Sequence, residues 1–365
     1  MRRAVVITGL VRDEAGFGAY LDGIARLERP DLRIVLSTWK GEMARYPAIA
    51  ARLSRMGADM IEQVQPNLKL PGHMLHQVVA LERGLSCLDD DVLVLKTRPD
   101  ICGVMDVVEF LDLVPEATTT GPFGHRVHVV GMFGAHPLYI NDIIYAGMAA
   151  DLRRLCALSF LPGVKYPRLA PEQWLWSSTL TAGNPVLDAY LSVNPGLLFN
   201  DATGNAALRG LLTKAPLFAR AIAAMATLVH GSLAYLHPDP HQCATCRACA
   251  DHTLDALLWD RLEMPALDHH PTAQVNTWLS QGVIDAVRGG TYASSPLGDA
   301  VRGAFLDEPT APVLAAEASA LRAEMKLPES PPPWELAETG ASYAASLETE
   351  VNTLRREIDR MLRHQ

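Results

Sequence analysis

The densest group of chemically active residues follows one apolar run. Residues 92–95 are continuously apolar, which predicts a strand buried on both faces. The run ends at Lys96, and Arg98 and Asp100 follow directly. A guanidinium binds phosphate oxygens through two hydrogen bonds, and a carboxylate can hold a divalent metal ion. The segment therefore predicts a charged site at the end of this strand.

Three interpretations of this segment stay open on the residues alone. Arg98, with Asp100 beside it, can bind a phosphate group without a metal. Asp100 alone can hold Mg²⁺ or Mn²⁺. The two side chains can also form a structural ion pair that caps the strand.

Polar residues also follow two other predicted strands. After the first, Gly9 permits a tight turn and Arg12 can reach a phosphate. After the second, Ser37 and Thr38 offer hydroxyls to a ribose or a phosphate, and Trp39 offers an indole for packing or stacking. Ligands of open parallel sheets bind at the carboxyl ends of the strands, so these residues predict one binding site.

The first hundred residues alternate between short apolar runs and helical patterns, which predicts an α/β fold with a parallel sheet and crossover helices. The predicted strands are residues 4–8, 33–37, 60–64 and 92–96. Apolar residues at helical spacing predict a helix over residues 74–88. The acidic turn at 89–91 is interpreted as a solvated loop.

The later part of the chain is mostly helical in pattern. The predicted regions are an α/β domain over 1–205, a helical region over 206–326, a Pro-rich linker over 327–340 and an amphipathic or coiled-coil helix over 341–365. That last pattern lasts about two heptads, so docking on its own domain and homo-oligomerisation both stay open. Residues 208–236 are predicted to be helical. Arg220 and His230 interrupt their most apolar part, which favours a buried helix over a membrane span.

The composition excludes some function classes. The net charge of −9 gives no general attraction to nucleic acid, and we expect no nucleic-acid partner. The short apolar run at the N-terminus does not fit a secretory signal, so we expect a cytoplasmic protein, with peripheral association at the inner membrane as an alternative. Neither a phosphate-binding loop of the G-x-x-x-x-G-K-S/T type nor a G-x-G-x-x-G after the first strand is present, so ATPases and common dehydrogenases rank low.

Taken together, these segments resemble the WavE-type lipopolysaccharide-synthesis glycosyltransferase family. The matching elements are Thr-Gly-Leu-Val-Arg-Asp at 8–13, Ser-Thr-Trp-Lys-Gly at 37–41, a helix containing Gln77, and Leu-Lys-Thr-Arg-Pro-Asp at 95–100. The resemblance covers roughly residues 4–200. It implies a GT-A-like, Rossmann-type nucleotide-sugar domain. The implied reaction moves a sugar from a nucleotide sugar to a surface-polysaccharide, lipid-linked or protein-linked acceptor.

The resemblance also implies which residues bind the donor. Enzymes of the GT-A type place Asp-x-Asp at this strand end, because a cation must neutralise the diphosphate leaving group. Arg98 stands here in place of the first acid. The expected donor-binding residues are Gly9, Arg12, Ser37, Thr38, Trp39, Gln77, Lys96, Arg98 and Asp100. The chain departs from the family around Gln77, with Lys-Leu-Pro-Gly at 69–72 and Leu-His-Gln at 75–77, which bears on donor or acceptor preference.

Two further acids in the region of resemblance are candidate catalytic residues beside Asp100. Inverting transfer needs a base opposite the leaving diphosphate, and Glu172 in Pro-Glu-Gln-Trp is the first candidate. Asp142 is the second, as a base or an acceptor ligand. Both acids also have structural interpretations, because Glu172 suits the first turn of a helix and Asn141 with Asp142 suits an N-cap pair before a helix over 143–150.

A cysteine cluster lies outside the region of resemblance. Cys243, Cys246 and Cys249 recur at three-residue intervals, and His241 can complete a tetrahedral structural zinc site, with His237 and His252 as alternatives. The alternative is that the three cysteines are reduced thiols packed on a helix, and the sequence does not favour either interpretation. A metal-stabilised binding or assembly protein without catalytic activity is therefore the competing function.

Overall fold

The computed structural model describes residues 1–67, 73–118, 121–130, 132–133, 139–157, 175–176, 179–181, 183–193, 215–236, 303–304 and 307–324. The strands are β1 Arg3–Thr8, β2 Leu32–Trp39, β3 Asp59–Gln63, β4 Leu93–Thr97, β5 Val127–Val129, β6 Met132–Phe133, β7 Tyr139–Ile140, β8 Tyr145–Met148 and β9 Leu233–Tyr235. The helices are α1 Glu14–Ala25, α2 Glu42–Arg45, α3 Pro47–Arg55, α4 Met74–Leu85, α5 Val104–Asp112, α6 Ala149–Leu155, α7 Pro185–Val193, α8 Pro216–Ser232 and α9 Ala311–Glu324. The predicted α/β class is confirmed.

Seven strands form one sheet in the order β3-β2-β1-β4-β8-β5-β9, and β6 pairs with β7 separately. β1 pairs in parallel with β2 and with β4, whereas β8 runs antiparallel to β4 and to β5. The chain moves outward from β1 through β2 to β3, and then crosses to β4 on the other side of β1. The carboxyl ends of β1 and β4 therefore flank a topological switch point, where open α/β sheets bind ligands.

The four predicted strands coincide with β1 to β4 to within two residues at each end. The uninterrupted apolar run of β1 is explained by two cores. Ala4 and Val6 pack on one face of the sheet with residues of α4 and α6. Val5 and Ile7 pack on the other face with residues of α1 and α5. Each full burial of a large aliphatic side chain contributes roughly 1.5–3 kcal/mol.

One local prediction was wrong, and the end of another was misplaced. Asn141 and Asp142 were predicted, as an alternative, to cap a helix over 143–150. That helix is not formed, because Tyr145–Met148 pairs with β4 and the helix begins at Ala149. The side chain of Asn141 instead accepts the N–H groups of Ile143 and Ile144 in a turn. The helix predicted over 208–236 ends at Ser232 where it is described, because β9 follows and pairs with β5.

The acidic turn at 89–91 is held by ion pairs. Arg2 contacts Asp89 and Asp91, and Arg153 contacts Asp90. All three carboxylates are exposed, so these pairs add little stability. The interpretation of this turn as a surface loop agrees with these contacts.

Helix α8 is anchored by Arg220, whose guanidinium contacts Glu317 on α9 at 3.0 Å and Asp307 at 2.7 Å. This pairing accommodates the charge that interrupts the most apolar stretch of the sequence. Among the residues described, no helix has the length and apolar character needed to cross a bilayer.

Helix α4 approaches the sheet closely at Gly84. A Cβ atom at this position would lie 2.5 Å from Cγ1 of Val6 and 3.4 Å from Cβ of Ser37. The absence of a side chain at Gly84 therefore lets α4 pack directly on β1 and β2. This contact sets the distance between α4 and the sheet, and α4 also forms one wall of a cleft at the edge of the sheet.

Gly84→Ala should lower the free energy of unfolding by up to about 2 kcal/mol, because overpacking typically costs about 1–3 kcal/mol while alanine gains about 1 kcal/mol in helix propensity. Urea denaturation of the purified protein measures this change. Gly303→Ala is the control, since a Cβ atom there meets nothing within 4 Å. Equal effects of the two substitutions would contradict the close packing of α4.

Candidate functional site

An open cleft with a volume of about 220 Å³ lies at the carboxyl edge of the sheet, beside the switch point. The residues that line it are Thr8, Gly9, Leu10, Arg12, Trp39, Gln65, His73, His76, Gln77, Ala80, Arg98 and Asp100. Six of them were predicted from the sequence as donor-binding residues: Gly9, Arg12, Trp39, Gln77, Arg98 and Asp100. Tertiary structure thus brings together residues that follow β1, β2 and β4 and residues of α4.

A tight turn after β4 arranges the first part of the site. Arg98 and Ile101 form an isolated antiparallel bridge, and Thr97 Oγ1 donates to the carbonyl of Ile101 at 3.2 Å. Pro99 is the second residue of this turn, a position where its fixed φ is favourable. The turn brings Arg98 and Asp100 together: Arg98 Nε lies 2.9 Å from Asp100 Oδ1, and Arg98 Nη2 lies 2.6 Å from Oδ2.

The loop after β1 contributes a second guanidinium. Arg12 Nη1 donates to Asp100 Oδ2 at 3.1 Å. Gly9 begins this loop with φ of 113°, in the left-handed region that favours glycine, and its N–H extends the pairing of β1 to the carbonyl of Ser37. The two guanidiniums and one carboxylate leave one net positive charge on this group. An anion such as a phosphate is the ligand that complements it.

Two opposing effects act on the pKa of Asp100. Burial of the carboxyl raises its pKa, but the hydrogen bonds and charge of Arg98 and the charge of Arg12 lower it more. The net result is a pKa below the usual value for aspartate. Asp100 is therefore a carboxylate at neutral pH, and it holds both arginine side chains in fixed positions.

One face of α4 forms the opposite wall of the cleft. His76, Gln77 and Ala80 lie on one face of the helix, and His73 immediately precedes it. The His76 ring packs edge-on against Trp39 at a centroid distance of 5.6 Å and against His73 at 5.4 Å. Sequence reasoning did not select the two histidines as site residues, although their spacing from Gln77 along the helix could have indicated them.

Three of the expected donor-binding residues lie inside the sheet. Ser37 and Thr38 have no exposed surface, and Lys96 is 1% exposed. Lys96 Nζ donates to the backbone carbonyl of Asp142 and lies 5.0 Å from the centre of the Tyr145 ring. Asp142 is also buried, with 3% exposure, near the same edge of the sheet. The structure thus places Lys96 behind the cleft and joins it to the segment that carries Asp142.

The arrangement of the described residues does not suit a divalent metal ion at Asp100. Both carboxylate oxygens already accept hydrogen bonds from guanidinium groups. In the described part of the chain, no three His, Cys, Asp or Glu side chains are grouped so that they could hold a metal ion. Glu172 and the predicted zinc ligands Cys243, Cys246, Cys249 and His241 lie outside the described residues.

The chain contains a second Arg-Pro-Asp sequence that provides an internal comparison. Arg29 and Asp31 form the same two-point ion pair, with Nε to Oδ1 at 2.9 Å and Nη2 to Oδ2 at 2.8 Å. This pair precedes β2 and so lies at the amino edge of the sheet. Its side chains are 37% and 56% exposed, whereas those of Arg98 and Asp100 are 22% and 14% exposed. Position and burial, and not the tripeptide itself, distinguish the cleft.

No family model matches the chain, and no curated protein matches it. Among solved structures, the chain is similar to a mannosyltransferase from Pyrobaculum calidifontis in complex with GDP-mannose and Mn²⁺. The TM-score is 0.30 and the sequence identity is 12%, over 88% of this chain and 87% of that chain. This similarity is too low to carry an argument about function. The resemblance to the WavE-type family stays a prediction.

Lys96 holds a buried charge beneath the site. Burial lowers its pKa to about 8, and the charge of Asp142 opposes this effect. Below pH 8 the ammonium group is protonated in both the folded and the unfolded chain, so its burial lowers the unfolding free energy. Between pH 8 and the usual lysine pKa of 10.5, only the unfolded chain keeps the proton. The unfolding free energy therefore rises with pH in this window.

We expect the stability of the wild type relative to Lys96→Met to rise by about 3 kcal/mol between pH 7.5 and pH 11, because each unit of pKa shift corresponds to about 1.4 kcal/mol. Denaturant titrations of both proteins at several pH values measure this difference. Lys40→Met removes an exposed ammonium group near the same edge of the sheet and is the control. A difference that does not change with pH would show that the charge of Lys96 is not desolvated.

Proposed function

We propose that the cleft binds a nucleotide sugar and that the protein is a glycosyltransferase. The observation that carries this proposal is the pair of guanidiniums, Arg12 and Arg98, bridged by Asp100 at the switch point of the sheet. A diphosphate is multiply charged, and positive groups that are already in place before it binds stabilise it more strongly than freely moving water does. Arg12 and Arg98 supply the positive charge that stabilises a diphosphate.

The proposed reaction breaks the bond between C1 of the donor sugar and the oxygen of the diphosphate. The acceptor hydroxyl oxygen forms a new bond to C1, and its proton passes to a base. The electron pair of the broken bond stays on the diphosphate oxygen, where Arg98 and Arg12 stabilise the developing negative charge. Asp100 keeps the two guanidiniums in place before the donor binds, which reduces the reorganisation needed during the reaction.

The aromatic part of the cleft suits the nucleoside of the donor. The His73 ring is exposed and packs on the buried His76 ring, which in turn packs on the buried Trp39 ring. A nucleobase can stack on the exposed ring. Gln65 and Gln77 bring amide groups to the same cleft, which can donate to and accept from the polar edge of a base. The charged and aromatic parts together match a nucleoside diphosphate better than an inorganic anion.

We also propose which residues act as the base and what kind of acceptor receives the sugar. Glu172 and Asp142 are the proposed bases, and Asp142 lies near the edge of the sheet that carries Arg98. The proposed acceptor is a surface-polysaccharide, lipid-linked or protein-linked hydroxyl. Association of two chains through the helix predicted over 341–365, which lies outside the described residues, is part of the same proposal.

Arg98→Ala should weaken the binding of nucleoside diphosphate sugars about 10- to 100-fold, because a hydrogen bond to a charged group contributes roughly 1.5–3 kcal/mol. Isothermal titration with UDP, GDP and dTDP sugars, with and without Mn²⁺, measures the affinity, and CMP sugars test whether a donor with one phosphate also binds. Arg98→Lys should bind with intermediate affinity, since an ammonium group keeps the charge but not the planar fork.

The matched control is Arg29→Ala, which removes the same ion pair from the second Arg-Pro-Asp sequence at the other edge of the sheet. It should leave donor affinity unchanged. Equal losses in Arg29→Ala and Arg98→Ala would contradict the site, and no binding of any nucleotide sugar would overturn the function. Binding that requires Mn²⁺ would contradict recognition of the diphosphate by the arginines alone.

His73→Asn should lower the affinity for nucleoside diphosphates about tenfold while pyrophosphate affinity stays at the wild-type value, because stacking of a base on an aromatic ring contributes roughly 1–3 kcal/mol. Asparagine is chosen because the backbone of His73 has φ of 57°, a conformation that asparagine tolerates. Titration with each ligand measures both affinities. Equal loss for the two ligands would place the nucleoside away from this wall.

A further inference from the structure

A series of hydrogen bonds connects the carboxyl ends of four adjacent strands. Glu62 on β3 accepts the backbone N–H of Met43 at 2.9 Å. Glu42, which begins α2 directly after β2, accepts the backbone N–H of Val11 at 2.8 Å. Arg12, in the loop after β1, then contacts Asp100 after β4. The contacts follow the order in which the strands lie in the sheet, β3-β2-β1-β4.

Glu42 is the buried member of this series, and its partner Val11 lies between Leu10 and Arg12, which both line the cleft. Glu42 is 4% exposed, although it is an ionisable residue. Gly41 has φ of 86°, which lets the chain turn sharply after β2 and begin α2 at Glu42. Burial of a carboxylate costs free energy unless it is hydrogen-bonded, and the N–H of Val11 supplies one such bond. The bond joins positions 31 residues apart in the chain.

The residue that Glu42 holds immediately precedes Arg12. The Arg12 side chain is 61% exposed, so its packing restricts it little. A long side chain on a free loop loses considerable entropy when it is fixed on an ion pair. Holding the backbone at Val11 reduces that cost, because it sets the point from which Arg12 reaches Asp100.

We infer that Glu42 is a positioning residue of the anion site, which holds the loop after β1 so that Arg12 meets Asp100 and can bind the anion together with Arg98. The inference rests on the proposed function for the role of the anion. The contact between Arg12 and Asp100 can be tested without any ligand.

The first test follows the titration of the Asp100 carboxyl by carbon-13 NMR in the full-length protein, with the signal assigned by its loss in Asp100→Asn. Arg12→Ala removes a positive charge beside the carboxyl and should raise the pKa of Asp100. Glu42→Ala should raise the pKa in the same direction, because Arg12 is no longer held. Glu42→Gln keeps an oxygen that accepts the N–H of Val11 and should stay near the wild type.

The second test measures the affinity for inorganic pyrophosphate by calorimetry. Glu42→Ala should bind about fivefold more weakly than the wild type, as expected for the loss of one modest polar contact, and Glu42→Gln should restore the affinity. In the Arg12→Ala background, Glu42→Ala should have no further effect. This last result separates a role through Arg12 from a general loss of stability.

Asp151→Ala is the matched control. Asp151 is 2% exposed and accepts the N–H groups of Gly124 and His125, so it also braces a loop with a buried carboxylate. It follows β8 near the amino edge of the sheet, away from the cleft. Its removal should leave both the Asp100 titration and pyrophosphate affinity unchanged.

The two tests separate the inference from the proposed function. If Arg12→Ala raises the pKa of Asp100 and Glu42→Ala does not, the positioning role of Glu42 is overturned. If the wild type does not bind pyrophosphate, the proposed anion site fails, while the titration still decides whether Glu42 positions Arg12. Loss of pyrophosphate affinity in Glu42→Ala that persists at equal size without Arg12 also overturns the inference.

Discussion

The burial of β1 on both faces is the constraint on which the rest of this structure depends. Its side chains alternate between two cores, and its backbone pairs with β2 on one side and β4 on the other. A strand enclosed in this way cannot shift by one residue without exchanging the contents of both cores. The ends of β1, β2 and β4 are therefore fixed relative to one another, and the charged residues that follow them meet at one edge.

The charged group at that edge shows how position gives meaning to a short motif. The same Arg-Pro-Asp sequence occurs twice and forms the same ion pair twice. Before β2 the pair is solvated and alone, and pairs of this kind contribute little. After β4 the pair is mostly buried, a second arginine joins it, and a cleft opens beside it. Burial strengthens the electrostatic interactions there, so the group can bind an anion in a fixed orientation.

Helix α4 links the fold to the site through its two faces. The apolar residues whose spacing predicted the helix over 74–88 are Leu75, Val78, Val79, Leu81 and Leu85, and a core stripe should bury all of them. Val78, Leu81 and Leu85 are buried as expected, but Leu75 and Val79 are only partly buried. The helix is rotated so that Met74 enters the core and His76 faces the cleft beside Trp39. The close approach at Gly84 favours this rotation, because the side of α4 that carries Gly84 must face the sheet.

The sequence by itself determined the α/β class, the positions of β1 to β4 and most of the cleft-lining residues that follow them. Long apolar runs bounded by polar residues allow few other structures, and parallel strands must end at a common edge. Only the tertiary structure decided the strand order, the antiparallel insertion of β8 where a helix was also considered, and the burial of Ser37, Thr38 and Lys96. It also decided which arginine joins Asp100, since Arg12 lies 88 residues away. Local propensity contains no information about contacts at that separation, because they arise from the packing of whole elements.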